Sequence, residues 1–156
     1  MRIAVFVKKH TALIILILLT AGAMAAYALY TRPVKIEALL PKQLVSVDVA
    51  YTIPTGEEII LPPVTEQQMI AGMLALLDGY RYHRVLDFSH TVPTYSVEIT
   101  GIRLIFKART AYTMLQLRAN GVIQFGNSSY HIGYLYWDAD RELYAKLYDY
   151  CEKLRG

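Results

Sequence analysis

The longest apolar run in the chain lies near its start. Residues 11–30 carry no charged side chain, and three basic residues precede them. As a helix, a run of this length reaches roughly 30 Å, which matches the hydrocarbon core of a bilayer. The pattern therefore predicts a transmembrane helix over residues 11–30. The cations before it favour a cytoplasmic tail over residues 1–10.

The same run also has the features of a secretory signal peptide. A basic start is followed by an apolar stretch and by small residues up to Ala25, after which cleavage could occur. The apolar pattern continues to Tyr27 and Tyr30, whose rings suit the headgroup region, and this favours an uncleaved anchor. Either interpretation exports the rest of the chain.

The segment that follows predicts a stalk, a hairpin and a helix. Residues 31–43 contain two prolines and mixed charges, which is typical of a stalk. Alternating β-branched residues over 44–51, a Pro-Thr-Gly turn and a returning run over 57–61 predict two paired strands. A capping box at Thr65 predicts the start of a helix that ends near Asp78.

Strand patterns dominate the second half of the chain. An Asn-Gly pair between two apolar runs is a strong hairpin signal, and Gly101 indicates a turn or a bulge. Four strands are predicted, over residues 95–106, 112–118, 122–125 and 130–137. Residues 138–154 have the spacing of an amphipathic helix. Residues 44–156 are thus predicted to form one α+β domain, an antiparallel sheet packed with two helices in the order β-β-α-β-β-β-β-α.

Charge limits the partners of this domain. All 13 acidic residues and 13 of the 16 basic residues follow the apolar run, so the predicted exported part is formally neutral. Nucleic-acid binders need a concentrated basic surface, which argues against a nucleic-acid partner. The predicted partners are the lipid bilayer and a protein or anionic component of the cell envelope.

Residues 79–93 are the least regular part and gather basic and aromatic side chains. Irregular segments on rigid frames often carry binding groups, so this segment is the predicted contact surface. The predicted partner-binding residues are Arg81, Tyr82, His83, Arg84 and His90. Asp87, Ser89 and His90 are close in sequence, but a catalytic triad is a spatial arrangement that such spacing does not predict. No catalytic, cofactor or metal site is predicted.

Cys151 is the only cysteine in the sequence, so an internal disulfide is excluded. It shares the apolar face of the last predicted helix with several leucines. We therefore predict a small buried hydrophobe rather than a reactive thiol, which would need an electropositive and exposed setting.

The order of the predicted elements resembles that of the small membrane-anchored extracytoplasmic domains of unknown function in Gram-positive bacteria. The resemblance spans most of residues 44–154 and rests on layout and on short pieces such as Tyr130-x-Ile132 and Leu143-Tyr144. These domains often carry a lipid-attachment cysteine, which the helix would replace here. The resemblance implies an exported location and no assigned activity.

These observations predict a single-pass protein of the cell membrane whose exported domain is a binding module rather than an enzyme. Eleven of the 13 tyrosines follow the apolar run, and tyrosine is enriched at binding surfaces. Two alternatives stay open. One is an envelope enzyme that uses residues 79–93, and the other is a sensor or immunity-type accessory protein.

Overall fold

The computed structural model describes residues 2–85, 101–118, 123–132 and 138–156. Helix α1 spans Arg2–Tyr30, so it also takes in residues that we predicted as a tail. Within α1, Leu13–Tyr30 is long and apolar enough to cross a membrane, and none of this stretch is buried inside the protein. The chain forms two compact units, Met1–Arg32 and Pro33–Gly156. The predicted N-terminal apolar helix is thus confirmed as a helix.

The described residues of the second unit form one antiparallel sheet of seven strands. The strands are β1 (Ser46–Thr52), β2 (Glu58–Ile60), β3 (Tyr82–Arg84), β4 (Gly101–Lys107), β5 (Tyr112–Arg118), β6 (Ile123–Phe125) and β7 (Ser128–Ile132). Their order in the sheet is β2-β1-β4-β5-β6-β7-β3. Sequential hairpins build most of this order, whereas β3 crosses to the far edge and pairs with β7. The predicted α+β class with an antiparallel sheet is confirmed.

One face of the sheet is apolar and buried. The register sets Val49 opposite Leu104 and Leu104 opposite Leu115, and none of these side chains is more than 1% exposed. Helix α2 (Gln67–Asp78) contributes Met73 and Leu77 to the same core. Helix α3 (Asp138–Arg155) contributes three more buried side chains, Leu143, Leu147 and Cys151. Buried and more exposed residues tend to alternate along the strands because side chains on successive residues point to opposite faces of the sheet.

Gly101 begins β4 instead of forming a turn or a bulge. A Cβ atom at this position would lie 2.4 Å from the backbone oxygen of Leu117 on the neighbouring strand β5. Only a glycine lets the two backbones approach this closely. The glycine therefore serves close strand packing at this end of the sheet.

Two further predictions differ from the structure. Residues 82–84, which we predicted as part of a loop, form β3 because Tyr82 enters the core. The predicted capping box is wrong, since α2 begins at Gln67 after Glu66 and no side chain caps it. The segment that we predicted as a stalk contains a short 3-10 helix, Ile36–Ala38. The predicted strand residues 95–100 and 133–137 lie outside the described residues.

Candidate functional site

Arg81 and Tyr82, two of the five predicted contact residues, lie at the start of β3 with opposite exposures. Arg81 is exposed, whereas Tyr82 is fully buried. The Tyr82 hydroxyl donates a 2.8 Å hydrogen bond to the backbone oxygen of Leu77, and its ring meets Phe125 edge-on with 5.4 Å between centroids. Burial also raises the pKa of Tyr82. Tyr82 therefore joins β3 to α2 and presents no surface to a partner.

The next two predicted residues follow Tyr82 along β3. His83 is only 8% exposed and lies opposite His131 on β7. Arg84 is half-buried, where its guanidinium donates to the Tyr130 hydroxyl at 3.4 Å and lies 5.8 Å from the centre of the Tyr130 ring. His90, the fifth predicted residue, lies outside the described residues. Among the predicted contact residues that the structure describes, Arg81, directly before β3, is the one that is exposed.

A buried carboxylate lies at the end of β7. One oxygen of Asp140 accepts a 2.9 Å hydrogen bond from the backbone nitrogen of Ile132, and the other lies 3.6 Å from Nδ1 of His131. Burial raises the pKa of the Asp140 carboxyl, while the hydrogen bond from Ile132 and the imidazole of His131 oppose this rise. We call Asp140, His131 and the backbone of Ile132 the carboxylate corner. Since Asp140 lies in the first turn of α3, this corner fixes the helix to the sheet.

The described ranges contain no group of three His, Cys, Asp or Glu side chains placed to hold a metal ion. Cys151 is buried in the core, and burial raises the pKa of its thiol to about 12. The prediction that Cys151 is a buried hydrophobe is therefore confirmed.

The predicted stalk forms one wall of a concave surface. Val34 pairs with Tyr82 through two backbone hydrogen bonds of 2.9 and 3.0 Å, so the segment is held against the edge of β3. Ile36 is 1% exposed and belongs to the core. Leu40 and Leu44 pack partly against that core. The segment after α1 is therefore part of the domain's packing.

Between this segment and α2 lies a groove of about 670 Å³. Its apolar lining comes from Ile36, Leu40, Leu44, Ile70 and Leu74, with Ala71 and Ala75 on the exposed side of α2. Ligand sites in proteins commonly have 300–1,000 Å³ and mostly apolar walls with a few polar groups. Here the polar groups include Glu37, Lys42 and Asp78. We call this surface the α2 groove.

Our sequence analysis missed the α2 groove because we took two prolines and mixed charge as signs of a stalk. The apolar positions Ile36, Leu40 and Leu44 follow one another at intervals of four residues. Such spacing is typical of a segment that packs one face against a partner surface. This periodicity is the sequence signal from which the packing of residues 36–44 against the domain could have been predicted.

No family model, curated protein or solved structure matches this chain. The resemblance to small extracytoplasmic domains of Gram-positive bacteria stays a prediction.

Proposed function

We propose that this chain is a membrane-anchored binding module. In this proposal α1 spans the cell membrane once with its N-terminus in the cytoplasm, and the domain after Arg32 lies outside. The domain contacts a component of the cell envelope that has an apolar part, which enters the α2 groove.

The α2 groove is the observation that carries this proposal. Helix α2 and the segment after α1 leave apolar side chains around an open volume, although the same segment packs Ile36 tightly into the core. Leu40, Leu44 and Leu74 are each only partly buried. Apolar surface that folding does not cover is a common sign of a binding site.

The length of the connecting chain supports an envelope component rather than a distant partner. Helix α1 ends at Tyr30 and the groove lining starts at Ile36. An extended chain spans at most about 3.5 Å per residue, so this connection can reach only about 20 Å. With α1 in the bilayer, the connection would thus limit the distance between Ile36 and the end of α1 to about 20 Å.

A photo-crosslinking amino acid in the groove tests the proposal. We would place it at Ala75, which is exposed on α2 and lines the groove, and at the control position Ala145, which is exposed on α3. After irradiation of intact membranes, we expect an adduct with an envelope component from position 75 and none from position 145. Equal labelling from both positions, or no adduct from position 75, would contradict the proposal.

Topology needs a separate test because it does not depend on the groove. An alkaline phosphatase domain fused after Gly156 should be active, since this enzyme folds correctly only outside the cytoplasm. In a separate fusion, a fluorescent reporter at the same position should be dark in cells of the same strain. An inactive phosphatase with a bright reporter would place the domain in the cytoplasm.

A further inference from the structure

A second, smaller cavity adjoins the α2 groove. It has a volume of about 330 Å³ and lies between the segment that enters β1 and the turn joining β4 to β5. The two cavities share Lys42, Gln43 and Leu44 as lining residues. They are therefore neighbouring parts of one surface, and we call the smaller part the basic pocket.

Backbone contacts hold the walls of the basic pocket in place. The amide of Val45 donates a 2.8 Å hydrogen bond to the backbone oxygen of Lys107, and the amide of Ala108 donates one of the same length to Ala111. Gln43 has a φ angle of 57°, a left-handed conformation that is uncommon for residues other than glycine. Residues in such conformations often lie at ligand sites.

The chemistry of the basic pocket differs from that of the groove. Lys42, Arg109 and Thr110 line it, all three are exposed, and no acidic residue is among its described lining residues. Neither cation forms a salt bridge with any residue in the described part of the chain. The next cation along the turn, Lys107, is by contrast already paired with Asp48.

Two cations and a hydroxyl group suit a phosphate. Arginine and lysine bind phosphate oxygens through charge-assisted hydrogen bonds, and a hydroxyl adds a further donor. The acidic residues Glu37 and Asp78 line the α2 groove but not the basic pocket. The distribution of charge therefore assigns the anionic end of a ligand to the Lys42 and Arg109 side.

We infer that the ligand of this surface is a lipid with one apolar chain and a phosphate headgroup. The apolar chain lies in the α2 groove, and the phosphate lies between Lys42 and Arg109. This inference rests on the proposed function, because it names the class of envelope component that the groove binds.

The test uses the full chain in nanodiscs of zwitterionic lipid that contain a small amount of a photoactivatable probe. One probe is lysophosphatidic acid with a diazirine in its acyl chain, called the phosphate probe, and the other is a monoacylglycerol with the same chain and no phosphate, called the neutral probe. We expect the phosphate probe to label residues of the α2 groove more strongly than the neutral probe. An exposed ion pair contributes at most about fivefold in affinity, so two of them should give a preference of about tenfold.

Charge reversal identifies the residues responsible. The double variant Lys42→Glu and Arg109→Glu should lose the preference for the phosphate probe and keep the weaker labelling by the neutral probe. The matched control is Arg141→Glu with Lys153→Glu, which reverses two exposed cations on α3. The control should keep the preference. Protection of the buried Cys151 thiol from labelling in each variant verifies that the domain is folded.

The outcomes separate this inference from the proposed function. Equal labelling of the groove by both probes, unchanged in the double variant, would overturn the phosphate headgroup and leave the groove as a lipid site. Binding of inorganic phosphate that is lost in the double variant, without labelling of the groove by either probe, would show that free phosphate is the ligand, and this would overturn the lipid. Failure of both probes to label the groove would contradict the proposed function as well.

Discussion

The carboxylate corner and the α2 groove differ in how far folding satisfies their side chains. In the corner, both oxygens of Asp140 have partners within the protein, one on Ile132 and the other on His131. In the groove, Leu40 and Leu74 stay partly exposed around an open volume of about 670 Å³. A perturbed titratable group is often taken as a sign of function. Here the contacts of Asp140 with Ile132 and His131 join α3 to β7, and this structural role explains why the carboxylate is buried. In the groove, by contrast, apolar side chains stay partly exposed and no described residue covers them.

This comparison predicts that variants in the corner change stability and that variants in the groove change binding. All stability measurements can use the same signal. Cys151 is the only cysteine and is buried, so its thiol becomes reactive when the domain unfolds. Pulsed thiol labelling in urea therefore reports the free energy of unfolding of the full chain in detergent.

The largest effect is expected for Asp140→Ala. Removal of the carboxylate leaves the buried Ile132 N–H without its acceptor, and an unsatisfied buried donor costs about 1–3 kcal/mol. The helix also loses a favourable negative charge near its N-terminus, which is worth about 0.3–1 kcal/mol. We expect the free energy of unfolding to fall by about 2–3 kcal/mol. The control Asp149→Ala, at an exposed position of the same helix, should change it by less than about 0.5 kcal/mol.

The pH dependence of the same site gives a second test. Burial raises the pKa of Asp140 in the folded domain, whereas in the unfolded chain the pKa is about 4. Between these two pKa values the folded state holds a proton that the unfolded state has released. The contribution of Asp140 to the free energy of unfolding therefore falls as the pH rises through this window.

Asp140→Asn removes this titration. Its stability relative to the wild type should increase as the pH rises from about 4. Urea unfolding at a series of pH values measures the trend. Asp149→Asn, at an exposed position of the same helix, is the matched control for the substitution itself. A relative stability of Asp140→Asn that decreases with pH would mean that the folded domain stabilises the ionised carboxylate.

Tyr82→Phe is expected to have an intermediate effect. The substitution removes the hydroxyl that donates to the Leu77 backbone oxygen and keeps the ring against Phe125. A buried hydrogen bond contributes about 1 kcal/mol, so the free energy of unfolding should fall by about that amount. Tyr112→Phe, at a position that is 74% exposed, should leave it unchanged. Loss of groove labelling without loss of stability would instead mean that Tyr82 acts in binding.

Tyr82 also shows which parts of this fold the sequence could predict. Long periodic runs were sufficient for α1, β4, β5 and α3, because their side chains follow the geometry of one element. The three-residue strand β3 has no such run, since its position depends on Tyr82 reaching α2 and on pairing with Val34. The same long-range pairing brings residues 33–44 onto the domain. The α2 groove consequently depends on contacts that no local pattern contains.

The smallest change in stability is expected for Ala71→Trp. Ala71 is exposed on α2 and lines the groove, so a large ring there occupies space that no described side chain fills. Replacing alanine by tryptophan in a helix costs at most about 0.5 kcal/mol in propensity. Ala145→Trp, at an exposed position of α3, has the same intrinsic cost and lies outside the groove.

The free energy of unfolding of the two variants should therefore agree to within about 0.5 kcal/mol, while labelling of the groove by a lipid probe disappears only in Ala71→Trp. A loss of more than about 1 kcal/mol beyond the control would show that the groove is overpacked by the ring and belongs to the core. In that case the distinction between a satisfied corner and an uncovered groove would fail.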